Sequence, residues 1–129
     1  GVHNAIKYLN NRNYLVIILT NQAAVGKGII SEKKLNYIHH EMIKDLSKKK
    51  AYINDIYFAP YFKNSKILKY KKNKYDRKPY SGMIKKAIVK WNIDISNSYF
   101  IGDKLTDKLS ADRVNLKFFF KKKYLCINR

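Results

Sequence analysis

The sequence predicts an α/β protein built on a parallel β-sheet with helices on its faces. Three observations carry this reading. Short β-branched or aromatic runs alternate with stretches of helical period. The strand-like runs end in small or polar residues. Helices intervene between successive strands, which is how parallel strands are joined.

The elements follow in order. Ala5, Ile6 and Leu9, with polar residues between them, predict a short amphipathic helix ending near Asn11-Arg12-Asn13. Tyr14 to Leu19 is an apolar run expected to be a buried strand. Thr20 to Gly28 is rich in small residues and reads as a loop. Ser31, followed by Glu32, is a plausible N-cap for the next helix, with Leu35, Ile38, Met42, Ile43 and Leu46 on one face and a basic end at Lys48-Lys49-Lys50. Ile53 to Ala59 is the second strand, closed by Pro60. Tyr61 to Tyr75 is a polar, Lys-rich connection without a period. Pro79 and Ser81 precede a helix whose Met83, Ile84, Ala87, Ile88 and Trp91 face inward. Tyr99 to Ile101 is the third strand, ending at Gly102-Asp103. A helix from about Leu105 and a strand from Leu116 to Phe120 complete the pattern.

Composition narrows the function. The chain has 129 residues and a net charge of +19. Its 46% hydrophobic content excludes wholesale disorder, and its longest apolar run, Leu15 to Leu19, is too short to cross a bilayer. The first residues lack the character of a secretory signal. One cysteine, Cys126, excludes an internal disulfide and a multi-cysteine zinc site. A cytoplasmic protein without membrane contact is expected. The charge could mark a nucleic-acid binder. However, 24 of the 28 cations are Lys, and Lys, Asn, Ile and Tyr, all abundant here, share AT-rich codons. A solvated basic surface is the simpler reading.

Ligands of parallel α/β sheets bind beyond the carboxyl ends of the strands. There the sequence offers Thr20, Asn21 and Gln22, then Arg77-Lys78-Pro79, then Asp103, Lys104 and Asp107. A hydroxyl, two carboxylates and several cations suit a phosphate group with a divalent metal. Each also has a plain structural reading: Thr20 and Asn21 as turn residues, Asp103 and Asp107 as a helix start favoured by the dipole, Arg77 and Lys78 as two cations in a basic chain. His39 and His40 read as packed or solvated residues within a helix. Gly26-Lys27-Gly28 lacks the spacing of a phosphate loop.

Taken in order, Leu19-Thr20-Asn21-Gln22, Arg77-Lys78-Pro79-x-x-Gly82-Met83 and Ile101-Gly102-Asp103-Lys104-x-x-Asp107 resemble the haloacid dehalogenase (HAD) superfamily. Within it they look like the D-glycero-D-manno-heptose 1,7-bisphosphate phosphatase and histidinol-phosphatase group. The resemblance runs from Gly1 to about Phe120. It implies a three-layer Rossmann-like parallel sheet of the HAD type, with a phosphatase core over residues 1–121 and a basic tail over 122–129. It implies hydrolysis of a sugar-phosphate monoester through an aspartyl-phosphate intermediate. Thr20 would hold the transferring phosphoryl group and Lys78 would offset its charge. Asn21, Arg77 and Lys104 would bind phosphate or substrate. Asp103 and Asp107 would serve Mg²⁺, which needs only one or two protein carboxylates. The expected partner is a small phosphorylated substrate rather than nucleic acid; the sequence does not fix the oligomeric state, and a monomer is the favoured reading.

Two departures stand out. Where this group often holds zinc through Cys-x-His and Cys-x-Cys pairs, the chain reads Ala59-Pro60-Tyr61 and Lys74-Tyr75-Asp76, so no zinc is expected. Moreover, the superfamily's Asp-x-Asp-Gly-Thr motif, which carries the nucleophile, is not among these residues. In this fold its strand is central, between those ending at Thr20 and Asp103. Leaving it out would strand unpaired backbone in the core. The sheet is therefore expected to be incomplete, and the chain to be an inactive fragment of a phosphatase. A polynucleotide 3′-phosphatase of the same superfamily is the alternative, since that branch also carries Thr-Asn-Gln and Arg-Lys-Pro-x-x-Gly-Met. It prefers Gly-Arg after its last Gly-Asp, which Asp103-Lys104-Leu105-Thr106-Asp107 does not match. A non-catalytic phosphate-binding protein is the third reading.

Overall fold

A computed structural model describes residues 1–71 and 75–121. They fall into two compact units, Gly1–Lys72 and Asn73–Arg129. The basic tail with Cys126, and Lys72 and Lys74 of the Lys-rich connection, lie outside the described residues.

The first unit begins with helix α1 (Val2–Asn10), which buries Ile6. Asn13 turns the chain with a left-handed φ of 61°, a conformation Asn tolerates better than most residues. Strand β1 (Ile17–Asn21) therefore starts three residues later than expected, and Tyr14 and Leu15 remain exposed in the turn. Asn54 fixes that start. Its side-chain Oδ1 accepts from the Val16 N–H at 2.8 Å, and its own N–H donates to the Val16 carbonyl at 2.8 Å. β1 pairs in parallel with β2 (Asp55–Ala59), from Ile17 opposite Asp55 to Asn21 opposite Ala59. β1 is half-buried along its length rather than fully buried.

Between these strands the expected loop contains a short helix, α2 (Ala23–Gly26). Gly26 is required there, because a Cβ would collide with the Pro60 carbonyl oxygen and sit 3.0 Å from the Phe62 Cβ. The longer α3 (Glu32–Lys48) has its predicted cap, with the Ser31 side chain accepting from the Lys34 N–H at 3.0 Å. Its apolar stripe is only partly covered. Leu35 is buried, whereas Ile38 and Ile43 are exposed. The core of this unit gathers Val25, Leu35 and Tyr70, with Ile30, Phe58 and Tyr61 against them. Tyr70 comes from the short helix α4 (Leu68–Lys71) inside the Lys-rich connection, and its hydroxyl donates to Glu32 at 2.8 Å.

The second unit opens with α5 (Gly82–Trp91), which buries Met83, Ile84 and Ala87 and ends at Asn92 in the left-handed region. Asp94 then caps a 3-10 turn at Ile95–Asn97. Strand β3 (Tyr99–Gly102) pairs in parallel with β4 (Lys117–Phe120) across helix α6 (Leu105–Asp112). Alternation brings Tyr99, Ile101 and Phe119 to one face of this pair, each about half exposed. Phe118 packs its ring edge-on against Phe100 and Phe120.

Strand direction and the strand–helix–strand order agree with the expected α/β class. Among the described residues, β1 bonds β2 and β3 bonds β4, giving two separate two-stranded ladders.

Candidate functional site

Thr20 and Asn21 are the last residues of β1, not the loop expected for them. They stay in the strand because the parallel ladder continues through Phe58 and Ala59, and Gln22 extends it by donating its N–H to the Ala59 carbonyl at 2.8 Å. The Gln22 side chain donates to Thr20 Oγ1 at 3.0 Å. A strand end thus presents a half-buried hydroxyl directly before α2.

In the second unit the polar residues are held more tightly. Asp107 lies in the first turn of α6 and is 3% exposed. Its Oδ2 reaches back to accept from the N–H groups of Asp103 at 3.2 Å and Lys104 at 3.1 Å. This is half of a capping box, and it satisfies donors the helix start leaves open. Gly102 makes the approach feasible, since a Cβ there would stand 2.6 Å from both Cβ and Oδ2 of Asp107. The second oxygen, Oδ1, faces the Lys78 ammonium at 2.6 Å. It receives no hydrogen bond of good angle, so Lys78 supplies it chiefly with charge. Both side chains are nearly shielded from solvent, at 11% and 4% exposure. The same ammonium lies 5.7 Å from the centre of the Phe100 ring.

Lys78 sits in the turn that leads into α5, and its peptide bond to Pro79 is cis. The Tyr80 N–H closes the turn on the Arg77 carbonyl at 3.0 Å. Ahead of it, the buried Asp76 forms an ion pair with Lys86 at 2.5 Å. Gly82 donates its N–H to the Tyr75 carbonyl at 2.7 Å, and a Cβ at that glycine would clash with the same oxygen. On the far side, Ser110 of α6 donates to the Tyr80 carbonyl at 2.7 Å.

The structure therefore brings together Lys78, Asp107 and the backbone of Asp103 and Lys104. Arg77 shares their unit, half-buried in the Lys78 turn. Thr20 and Asn21 belong to the other unit. The two carboxylates expected to serve magnesium differ in kind. Asp107 is committed to the chain's own N–H groups and to Lys78. Asp103 is exposed at the strand end, and its carboxylate bonds no other described residue. Among the described residues, no group of three or more His, Cys, Asp or Glu converges as a ready-made metal cluster. One open carboxylate still suits magnesium, which keeps most of its waters.

Sequence reasoning missed Asp76 and Ser110. Ser110 could have been found, because it lies three residues after Asp107 and so on the same helix face. Asp76 is buried, and its carboxylate is occupied by Lys86. His39 packs 5.8 Å from the Phe58 ring, and partial burial lowers its pKa by disfavouring the charged form. In Gly26-Lys27-Gly28 the N–H groups of Lys27 and Gly28, which a phosphate cradle would need, donate to the Ala23 and Val25 carbonyls at 2.9 Å. No helix among the described residues is long and apolar enough to cross a membrane.

The chain is similar to known phosphatases in sequence and in fold. The chain is 33% identical over 119 residues to D-glycero-beta-D-manno-heptose-1,7-bisphosphate 7-phosphatase of Rhodopseudomonas palustris, covering 92% of this chain and 66% of that protein. It is 34% identical over 118 residues to the enzyme of that name from Haemophilus ducreyi, covering 91% and 64%. The chain thus spans a little under two thirds of these relatives. Two solved structures share the fold. D,D-heptose 1.7-bisphosphate phosphatase from B. bronchiseptica, complexed with magnesium and phosphate, has a TM-score of 0.82 at 23% identity over 93% of this chain and 63% of its own. A putative HAD-like phosphatase from Mesorhizobium loti has a TM-score of 0.83 at 22% identity, covering 88% and 55%. A family model described as polynucleotide kinase 3 phosphatase matches residues 1–123. With a match along almost its whole length, the chain belongs to that phosphatase family, within the HAD superfamily.

Proposed function

We propose that the protein hydrolyses a phosphate monoester of a sugar bisphosphate of the heptose 1,7-bisphosphate kind, with residues 1–121 forming its phosphatase core. The observation that carries this reading is the 33–34% identity to proteins bearing that name. The Asp103-Lys104-Leu105-Thr106-Asp107 pattern supports it against the nucleic-acid branch. In this reading the Thr20 hydroxyl and the Asn21 amide bind phosphoryl oxygens. The Lys78 ammonium offsets negative charge as it builds in the transition state, an electrostatic role best filled by a fixed, poorly solvated cation. Burial against Asp107 fixes it in that way. Arg77 and Lys104 contact the substrate. Asp103 would hold Mg²⁺, which when bound draws charge from the phosphoryl oxygens.

An aspartyl-phosphate route needs a carboxylate nucleophile, and no Asp-x-Asp occurs among these 129 residues. By themselves they are expected to bind phosphate without turning over substrate. The test is phosphate release from the two anomers of heptose 1,7-bisphosphate by the native-length protein. Mg²⁺-dependent release that Asp103→Asn abolishes is expected. Unchanged turnover in that variant would overturn the metal assignment.

A second reading, a polynucleotide 3′-phosphatase, is favoured by the family model and by the net charge of +19. It predicts release from a 3′-phosphorylated oligonucleotide and binding that weakens steeply with salt. Preference for the oligonucleotide over the sugar would establish it.

A further inference from the structure

We infer that Ser110 is a positioning residue for Lys78, acting through the backbone of the turn that carries it. The inference rests on the reading of Lys78 as a phosphate-neutralising cation. Ser110 is fully buried, at 0% exposure. A hydroxyl in such a place is costly unless it is bonded. Its hydroxyl donates to the Tyr80 carbonyl, two residues beyond Lys78. Helix α6 therefore grips the Arg77–Tyr80 turn twice on one face. Asp107 holds the lysine by charge at 2.6 Å, and Ser110, one turn along, holds the backbone at 2.7 Å. Arg113, one turn further, sets its guanidinium 5.0 Å from the centre of the Tyr80 ring.

The two grips have different consequences. The Lys78–Asp107 ion pair, at 2.6 Å, acts on the far end of a lysine side chain with several rotatable bonds. The Ser110 bond is directional and fixes the distance from turn to helix. Removing the hydroxyl leaves a backbone acceptor unpaired and allows the turn to part from α6. The ammonium then becomes accessible for a larger fraction of the time.

Pulsed acetylation of this chain, read by mass spectrometry at each lysine, tests the idea. A protected amine reacts through local opening. Ser110→Ala should raise the Lys78 rate about fivefold, the factor that one ordinary net hydrogen bond represents. Ser110→Thr, which keeps the hydroxyl, should restore the slow rate. Lys108, on the exposed side of α6, should react equally in all three proteins. A general loosening would instead raise Lys78 and Lys108 together, and that result would overturn the inference. An unchanged Lys78 rate in Ser110→Ala would overturn it as well. A thermal melt of Ser110→Thr identifies steric damage from its added methyl. If that variant unfolds, Ser110→Cys, a near-isostere with a weaker donor, takes its place, and an intermediate rate is expected. Protection of Lys78 by inorganic phosphate with Mg²⁺ tests the functional reading separately. Its absence would count against Lys78 as a phosphate ligand and leave the Ser110 comparison intact.

Discussion

The ends of β1 and β3 both finish in polar residues, and they are built in opposite ways. At the end of β1, Thr20 is half-buried and is bonded by the Gln22 side chain. At the end of β3, Asp107 is buried, receives two backbone N–H groups and faces the Lys78 ammonium. Ser110 ties the adjoining turn down as well. The first end offers a group to a ligand at little structural cost. The second has converted an acidic residue into scaffold and leaves only its neighbour, Asp103, open. A strand end with charge on it is therefore not uniformly a binding site. What distinguishes the two residues is whether the chain itself already satisfies the carboxylate.

Asp107→Ala should break this contrast most severely. It removes the carboxylate that faces the shielded Lys78 ammonium, and loss of one partner of a buried pair costs about 3–5 kcal/mol. Urea denaturation should show this, and a loss below 1 kcal/mol would mean that water reaches the pair. Gly102→Ala comes next. Its Cβ would stand 2.6 Å from Asp107, and overpacking of this kind costs about 1–3 kcal/mol. The same denaturation experiment should place it below Asp107→Ala. Thr20→Ala should cost only about 1 kcal/mol, the net worth of a partly exposed hydrogen bond. It should instead weaken phosphate binding, measured by calorimetry. If Thr20→Ala destabilised as much as Asp107→Ala, the two ends would not differ in the way described.

The smallest effect lies away from both ends. Asp94 accepts from the hydroxyl and N–H of Ser96 and from the side chain of Asn97. Those bonds, with the Ser96 side chain first, lower its pKa below the ordinary 3.8. A carboxylate whose pKa is lowered on folding adds stability above its unfolded pKa and loses it as pH falls through the folded one. Melting temperature should therefore drop on acidification from about pH 5 to about pH 2, and Asp94→Asn should flatten part of that slope. An identical slope in the variant would remove Asp94 as a contributor.

Much of the fold was legible because local signals governed it. The Ser31 cap, the α5 and α6 helices and the parallel strands required only pattern and turn chemistry. The start of β1 was misread because Asn13 and Asn54 set it, one through a left-handed turn and the other through a bond 38 positions away in sequence. The stripe on α3 overstated burial, because periodicity reports which face is apolar and not how much sheet lies beneath it. Site chemistry was less legible than site location. Asp103 and Asp107 share residue type, spacing and neighbourhood, yet one is open and the other enclosed. Gly102 is the physical cause, since only a residue without Cβ lets the Asp107 carboxylate come up against the strand end. A sequence shows that glycine but not what leans on it.

The face of the β3–β4 pair that carries Tyr99, Ile101 and Phe119 has a consequence for how the molecule behaves in bulk. Short strands with apolar side chains facing water invite sticking between copies. The net charge of +19 opposes it, because like-charged particles repel over roughly one Debye length, about 10 Å in 0.1 M salt. Colloidal stability therefore depends on ionic strength. The lysines that bear no relation to phosphate chemistry still act as a dispersant, and concentrated salt or a polyanion switches that action off.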